Sequence, residues 1–422
     1  MIRVRIAPSP TGFAHVGTAY MALFNFAYAR KNKGTFIVRL EDTDIKRNVK
    51  GAEGAIYEGL AWLGLSWDEG PDKGGKYGPY RASERLELYQ KKVQVLLDNG
   101  LAYKDKGAIR FKNPGKDVTW KDAVRGDISF PGGEVTDFVL IKSDGFPTYN
   151  FGVVIDDISM EISHVIRGEE HISNTPRQLA LYQALGVEPP VFAHLPTLRN
   201  KDRKKLSKRR DPVDLRIFRN EGYLPEALIN FLCLMGWSHP EGKEIFSLKE
   251  FVNQFDLGRV RKAGPIFDLT KLDWLNGEYI RQTSLPNLVD LAFNYYDGKS
   301  KKELLTKVVP LVKDRIKKLS DIEPLAGFLL KENPPKPLKI KPFYTISILN
   351  ATYLKLSKIS KDSWNLSELN IAFEEIIKET GCKTGDFYMF LRGVIAGSKF
   401  TPPINESIVI LGKDKTLKRL KK

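Results

Sequence analysis

The sequence predicts a multidomain protein: a doubly wound parallel α/β sheet carries a small α+β insertion and is followed by an all-α region. Short apolar strands alternate with amphipathic helices in the first third of the chain, and this alternation is typical of parallel α/β proteins. The run from Thr35 to Leu40 is β-branched and apolar, which is the pattern of a buried parallel strand. Strand patterns disappear beyond about residue 210, which predicts the helical region.

The first elements follow one another in strand–helix order. Arg3 to Ala7 is a strand-like run that stops at Pro8. Apolar residues at helical spacing between residues 19 and 27 predict the first helix. The β-branched run from Thr35 to Leu40 predicts a second buried strand, and residues 52–63 show the spacing of a second helix.

The pattern then changes and returns. A helix predicted to close at Gly100 is followed, from about Gly107 to Glu134, by a Gly-, Lys- and Asp-rich stretch with scattered aromatics, which indicates a small β-rich module. Thr175-Pro176 opens a later helix, with proline at the first helical position. The resumed α/β pattern contains three predicted strands, at Phe138–Ile141, His164–Ile166 and Phe192–Leu195.

The last part of the chain shows only helical spacing. Apolar residues share one helix face between Leu228 and Met235, and again between Leu366 and Ile377. The prolines between 334 and 337 predict a break between helical modules. The terminal residues 418–422, with their four basic side chains, are interpreted as a frayed tail.

Composition favours a nucleic-acid partner and a reducing compartment. The 67 Lys and Arg residues against 51 Asp and Glu give a net charge of +16, which favours a polyanion, although a Lys-rich soluble protein would look the same. The distant Cys233 and Cys382 make neither a disulfide framework nor a zinc cluster. No apolar run is long enough to span a membrane and no secretory core precedes the first strand, so we expect a cytoplasmic protein.

A loop rich in Pro, Ser, Thr and Gly joins the first strand to the first helix, where parallel α/β sheets bind their ligands. It ends in His15-Val16-Gly17-Thr18. Gly17 lets backbone approach a ligand closely, Thr18 can cap the helix, and His15 can donate to phosphate at the helix N-terminus. The alternative is an ordinary capping turn with a surface histidine.

A second cluster is the basic stretch from Arg199 to Arg210, which contains Lys205-Leu206-Ser207-Lys208-Arg209. Two lysines flanking a serine on a loop can clamp a triphosphate and neutralise charge as pyrophosphate leaves. A solvated basic loop or a nucleic-acid patch is the alternative interpretation.

The histidine motif precedes the lysine motif along the chain. In this order the two resemble the HIGH and KMSKS signatures of class I aminoacyl-tRNA synthetases, which have a Rossmann-like catalytic domain. The segments that flank them resemble the glutamyl-tRNA synthetase family, bacterial or organellar type. These segments are Arg5–Gly12, Leu40–Asp44, Gly70-Pro71, Gly78–Arg81, Lys142–Asn150, Val165–His171, Leu232–Trp237, Phe267–Leu269 with Lys271-Leu272, Leu411–Lys413 and Leu417–Leu420.

The resemblance implies a glutamate pocket and an ATP site. Arg5 and Arg167 would hold the two carboxylates, with Arg5 at the side-chain carboxylate, and Glu41 would hold the α-amino group. The glutamate-binding set comprises Arg5, Ala7, Ser9, Glu41, Tyr149 and Arg167. The ATP-binding set comprises His15, Gly17, Thr18, Glu170, Leu198, Lys205, Leu206, Ser207, Lys208 and Arg209.

Four of these residues would be catalytic: His15, Gly17, Lys205 and Lys208. Lys208 is the residue expected to stabilise the transition state. Mg²⁺ would arrive with the ATP phosphates, so neither a protein metal site nor zinc is expected. The partners implied are L-glutamate and tRNA(Glu), with no membrane, and we expect a monomer. Glutamate activation would require bound tRNA.

The resemblance also implies a division of the chain. Residues 1–80 and 148–195 would form the two halves of the catalytic domain, and residues 81–147 an inserted module that binds the acceptor stem. Residues 196–284 would form the KMSKS loop and a helical stem-contact domain, and residues 285–422 a helical anticodon-binding region. Within it, residues 301–341 hold eleven Lys or Arg and five Asp or Glu, which suits contact with an RNA backbone.

Three alternatives compete with this interpretation. A non-discriminating enzyme would also load glutamate onto tRNA(Gln), and only a few anticodon contacts would decide this; Lys313 and Arg315 lie in a helix where such contacts are expected. An enzyme that glutamylates a modified tRNA base would lack the C-terminal region. A non-catalytic RNA-binding paralogue would have lost His15, Gly17 or Lys208, and all three are present.

Overall fold

The structure, a computed structural model, describes residues 1–207, 210–333, 335–338 and 345–421. The chain divides into two compact units. The first comprises Met1–Arg219 and Pro225–Leu272, and the second comprises Asn220–Leu224 and Asp273–Lys422. The predicted combination of an α/β domain and a helical region is confirmed.

The first unit mixes strands and helices. In chain order its elements are β1 (Arg3–Ile6), α1 (Val16–Lys31), β2 (Thr35–Val38), α2 (Ala52–Trp62), α3 (Leu86–Asp98), β3 (Ala102–Asp105), β4 (Ala108–Phe111), β5 (Val118–Asp122), β6 (Gly126–Phe130), β7 (Phe138–Ile141), α4 (Tyr149–Ser159), β8 (His164–Gly168), α5 (Thr175–Ala184), β9 (Val191–Leu195), α6 (Leu215–Asn220), α7 (Pro225–Gly236) and α8 (Leu248–Gln254).

Parallel strand pairs form the centre of this unit. β1 pairs with β2 in parallel, and β8 pairs with β9 in parallel. The backbone N–H of Ser163 donates to the carbonyl of Arg3, which brings β8 beside β1. Every residue of β1 is buried, including two arginines, whose charges therefore need partners within the fold.

The insertion consists of two antiparallel pieces. β4 lies between β3 and β7 in one small sheet, and β5 with β6 forms a separate hairpin. The hairpin lies against β9, because the backbone N–H of Ala123 donates to the carbonyl of Phe192 at 2.8 Å. The Gly-rich stretch from residue 107 to 134 that predicted a β module thus contains β4, β5 and β6.

The described residues of the second unit form helices joined by loops and contain no strand. Helix α9 (Leu269–Gln282) begins in the first unit and continues into the second. The later elements are α10 (Leu285–Tyr295), α11 (Lys302–Val312), α12 (Ile322–Leu330), α13 (Thr345–Lys358), α14 (Leu366–Thr380), α15 (Thr384–Leu391), a π-helical turn (Arg392–Ala396), α16 (Ile404–Leu411) and α17 (Lys413–Leu420).

The prediction of a frayed C-terminal tail is wrong. Instead of fraying, residues 413–420 form α17, in which Arg419 and Leu420 are buried. The Arg419 guanidinium donates to the carbonyl of Ile395 at 2.7 Å and to that of Phe328 at 2.8 Å. These two hydrogen bonds attach the last helix to the π-helical turn and to α12. No described helix is both long and apolar enough to cross a membrane.

Candidate active site

A cavity of about 480 Å³ opens where β1 and β8 end. Its walls come from the loop after β1, the N-terminus of α1, the first residue of α4, the end of β8, and the segment around residues 197–206. Its volume is in the range of sites for metabolites and nucleotides. Its position at the ends of β1 and β8 is the usual ligand site of doubly wound sheets.

The cavity brings together most of the residues that the sequence singled out. Those that line it are Arg5, Ala7, Ser9, His15, Gly17, Thr18, Tyr149, Arg167, Glu170, Leu198, Lys205 and Leu206. Glu41 and Ser207 are not among its lining residues. Lys208 and Arg209 lie outside the residues that the structure describes.

The first signature is a helix cap. His15 precedes α1, and its Nδ1 accepts a hydrogen bond from the backbone N–H of Gly17 at 2.8 Å. Because Nδ1 is the acceptor here, a neutral ring carries its proton on Nε2, which is then a donor suited to a phosphate oxygen. The N-terminus of α1 adds its helix dipole for the same charge.

The second signature begins in a tight hairpin. Lys205 is bridged to Arg199, and the backbone N–H of Leu206 donates to the carbonyl of Leu198 at 3.1 Å. The Lys205 ammonium lies 2.9 Å from Oε1 of Glu170, which follows β8. Burial alone would raise the pKa of Glu170, but the hydrogen bond from Lys205 holds it below its usual value. Lys205 is therefore held at the cavity by an ion pair.

Behind the cavity, Arg5 belongs to a buried charge network. Its Nε and Nη2 donate to the two carboxylate oxygens of Asp157, each at 3.0 Å. Arg39 donates to the same carboxylate at 2.9 Å and lies 3.2 Å from Oε1 of Glu41. Burial would raise the pKa of Asp157, but Arg5 and Arg39 hold it below its usual value. One edge of the Arg5 guanidinium is thus committed to the fold.

Glu41 lies beside this network rather than on the cavity wall. Its backbone N–H donates to the carbonyl of Pro8 at 3.1 Å, and its side chain is 9% exposed. Burial raises the pKa of Glu41 to about 7, and the Arg39 charge opposes this rise. A residue with such a pKa changes charge near neutral pH, which is common in binding and catalytic sites.

Arg167 is a buried charge held by neutral groups. Its guanidinium donates to Gln178 Oε1 at 2.8 Å, to Thr175 Oγ1 at 2.9 Å and to His194 Nε2 at 3.1 Å. All three acceptors are neutral, and within the described part of the chain Arg167 forms no ion pair with a carboxylate. Burial lowers the pKa of Arg167. A buried cation on a cavity wall favours an anionic ligand.

Several residues that shape this site were missed by sequence reasoning. Asp157 and Arg39 hold Arg5 and Glu41, while His194 holds Arg167. One signal was present for Asp157, because Asp156 and Asp157 interrupt an otherwise apolar helix and carboxylates are rarely buried without partners. Among the described residues, no group of three or more His, Cys, Asp or Glu side chains is placed to hold a metal ion.

Comparison with known proteins agrees with this geometry. Residues 1–108 and 105–274 match the model of the class I tRNA synthetase (E and Q) catalytic domain, and residues 286–422 match an anticodon binding domain. The parallel sheet, the first signature and the start of the second at one cavity, and these matches define a class I aminoacyl-tRNA synthetase.

The chain belongs to the glutamate–tRNA ligase family. It is 41% identical to a glutamate–tRNA ligase of Fervidobacterium nodosum, over 99% of this chain and 98% of that protein. It is 42% identical to the Thermus thermophilus enzyme, over 100% of this chain and 99% of the relative. A crystal structure of a glutamate tRNA ligase from Elizabethkingia meningosepticum, in complex with its amino acid, has a TM-score of 0.84, at 31% identity, and covers 100% of this chain and 98% of that one.

Proposed function

We propose that this chain is a glutamate–tRNA ligase that uses ATP to activate L-glutamate and transfers the glutamyl group to the terminal adenosine of tRNA(Glu). The observation that carries the proposal is the buried Arg167, held only by neutral groups among the described residues, on the wall of a cavity that also contains His15 and Lys205. A carboxylate bound by Arg167 would lie in the same cavity as His15 and Lys205, which suit phosphate, and this supports the proposal. The solved relative in complex with its amino acid supports the same assignment.

In the glutamate pocket, we assign the two carboxylates to Arg167 and Arg5. Asp157 holds two donor atoms of Arg5, and the remaining donors of Arg5 would bind the substrate carboxylate. Glu41, when ionised, would attract the α-ammonium group, and Ser9 and Tyr149 would complete the pocket by hydrogen bonds. Ala7 lines the same wall.

In the ATP site, we assign the phosphates to His15, Gly17, Thr18 and the loop from Lys205 to Arg209. Glu170 and Leu198 would lie near the adenosine. A carboxylate oxygen of glutamate attacks the α-phosphorus in line and pyrophosphate departs, so no protein nucleophile is required. Lys205 and Lys208 neutralise the charge that develops on pyrophosphate. Mg²⁺ would be held mainly by the ATP phosphates.

For transfer, the 2′-hydroxyl of the terminal adenosine attacks the activated carbonyl and AMP leaves. We propose that residues 81–147 contact the acceptor stem, that residues 196–284 contact the adjoining stem, and that residues 285–422 bind the anticodon. The match of residues 286–422 to an anticodon binding domain supports the last assignment.

The decisive experiment charges purified tRNA(Glu) and tRNA(Gln) with radiolabelled glutamate. We expect tRNA(Glu) to be charged, and a failure to do so would contradict the proposal. Charging of both tRNAs would identify a non-discriminating enzyme, whereas charging of tRNA(Glu) alone would exclude it.

The assigned roles are tested with two variants. We expect Lys208→Ala to abolish adenylate formation while tRNA binding is nearly retained, and full activity of this variant would exclude its role. We expect Arg5→Ala to lose glutamate binding. A normally folded Arg5→Ala protein with unchanged glutamate binding would exclude Arg5 from the pocket.

A further inference from the structure

A buried chain of polar groups joins the inserted module to the cavity. Asp122 ends β5 of the hairpin, His194 lies on β9, and Arg167 lies on β8. The Asp122 carboxylate lies 2.5 Å from Nδ1 of His194, and Nε2 of the same ring lies 3.1 Å from Nε of Arg167. Asp122, His194 and Arg167 are 2%, 0% and 6% exposed, so water does not screen these contacts.

The direction of these hydrogen bonds follows from Arg167. A guanidinium has only donors, so Nε2 of His194 must be the acceptor and the ring proton must lie on Nδ1. Nδ1–H then donates to Asp122, an arrangement that requires a neutral ring. Burial lowers the pKa of His194, which agrees with this assignment. Thr175 Oγ1 lies 3.3 Å from the same Nε2 and also accepts from Arg167.

Asp122 is itself held rigidly. Its Oδ1 accepts backbone N–H groups of Val124 at 3.0 Å, Arg125 at 2.9 Å and His194 at 3.1 Å. Its Oδ2 is thereby left for Nδ1 of His194. The carboxylate thus has one oxygen for the backbone and one oxygen that selects the tautomer of the histidine.

We propose that Asp122 and His194 are positioning residues for glutamate: Asp122 keeps the proton on Nδ1 of His194, and His194 in turn orients the Arg167 guanidinium toward the substrate carboxylate. This inference rests on the proposed function. It makes the inserted module a structural part of the amino-acid site, because a displaced β5–β6 hairpin withdraws the carboxylate that sets the tautomer. A buried aspartate that orients a histidine in this way is known from other enzymes.

The test is Asp122→Asn. The asparagine Oδ1 can accept the same three backbone N–H groups, but its amide N–H₂ now faces Nδ1 of His194. The ring must then carry its proton on Nε2. That N–H would face the N–H of Arg167, so two donors would oppose each other and the hydrogen bond between them would be lost. We expect the KM for glutamate in tRNA charging to rise by about tenfold or more, while the KM values for ATP and tRNA change by less than about twofold.

Asp117→Asn is the matched control. Asp117 lies in the same module and its Oδ1 accepts the backbone N–H of Gly132 at 2.8 Å, yet no contact among the described residues links it to Arg167. We expect its glutamate KM to equal that of the wild type. A purely structural role for Asp122 predicts instead a fall in active enzyme and in melting temperature with the glutamate KM unchanged.

Two further variants test the path through His194. His194→Gln retains an acceptor for Arg167 and should keep a glutamate KM within a few fold of wild type, whereas His194→Phe should match Asp122→Asn. In the His194→Phe background, Asp122→Asn should add nothing. An additive double variant, or an unchanged glutamate KM in Asp122→Asn, would overturn the inference. Failure of the wild type to charge tRNA with glutamate would instead overturn the proposed function.

Discussion

At the scale of single residues, Gly17 leaves little room for a side chain. A Cβ at this position would lie 3.0 Å from Nδ1 and 3.5 Å from Cε1 of His15. The imidazole would have to move by a few tenths of an ångström, and this shift strains the hydrogen bond from the backbone N–H of residue 17 that now sets its tautomer. The first signature therefore works as a unit in which the glycine positions the histidine.

We predict that Gly17→Ala lowers kcat/KM for ATP by about tenfold or more, since a misplaced donor no longer meets the phosphate. Steady-state pyrophosphate exchange in the presence of tRNA measures this. Gly54→Ala is the control, because Gly54 lies within α2 and a methyl group there would meet no described atom within 4 Å. It should leave activity unchanged and slightly raise stability. Equal activity of the two variants would contradict the prediction.

If Glu41 binds the ammonium group as proposed, glutamate binding should depend on pH. The pKa of Glu41 is about 7, above its ordinary value of 4.5. The fold therefore favours the protonated carboxyl. This contribution to folding stability is fully present below about pH 4.5 and is lost as pH rises through 7. The ionised form, to which we assign the ammonium group of glutamate, increases over the same pH interval. His171 stays neutral there, because burial lowers its pKa to about 4.

We therefore expect the KM for glutamate to fall by roughly ninefold between pH 6 and pH 8, as the ionised fraction of Glu41 rises from about one tenth to about nine tenths. Charging assays at fixed saturating ATP and tRNA measure this fall. Glu41→Gln should give a high KM with a flat profile. A flat wild-type profile would exclude titration of Glu41 in binding.

At the scale of elements, the helices and strands were largely predictable. The run Phe138–Ile141 is β7 as predicted, the helix opened by Thr175-Pro176 is α5, and the strand predicted at Phe192 begins one residue earlier. These elements are set by local periodicity and by proline. The hydrogen-bond partners were not predictable, since Arg5 and Asp157 lie 152 residues apart and His194 and Asp122 lie 72 apart.

The Lys205 hairpin yields a prediction at this scale, because the Glu170 ion pair holds Lys205 against the cavity. We expect Lys205→Ala to lower the rate of adenylate formation by about tenfold or more through lost charge neutralisation. Lys204→Ala removes an exposed lysine from the same hairpin and should have little effect. Single-turnover kinetics with bound tRNA compares the two variants. Equal losses of rate would mean that Lys205 acts only as one charge of a basic surface and has no specific role in adenylate formation.

At the scale of the whole molecule, the basic residues behind the net charge of +16 have two roles. Part of it stabilises the fold: Lys313 donates to the carbonyl of Thr283 at 2.6 Å and Arg315 to that of Thr401 at 2.9 Å. Such internal cations could not be separated, from sequence alone, from those available to RNA, because a lysine's role depends on which carbonyls the folded helices bring near it. The exposed Lys and Arg side chains without such internal partners are available to contact a polyanion.

Salt should separate the binding of tRNA from the binding of glutamate. Contacts to RNA phosphates release counterions, so the KM for tRNA should rise steeply with salt, with a log–log slope of about 3 or more between about 50 and 200 mM KCl. The two arginines proposed to bind glutamate, Arg5 and Arg167, are buried, and salt screens buried charges far less. The KM for glutamate should therefore change by less than about twofold over the same range. Charging assays that vary one substrate at a time measure both values. If the KM values for tRNA and glutamate rose with the same slope, salt would be acting on the fold. If the KM for tRNA did not depend on salt, the exposed basic residues would not contact RNA.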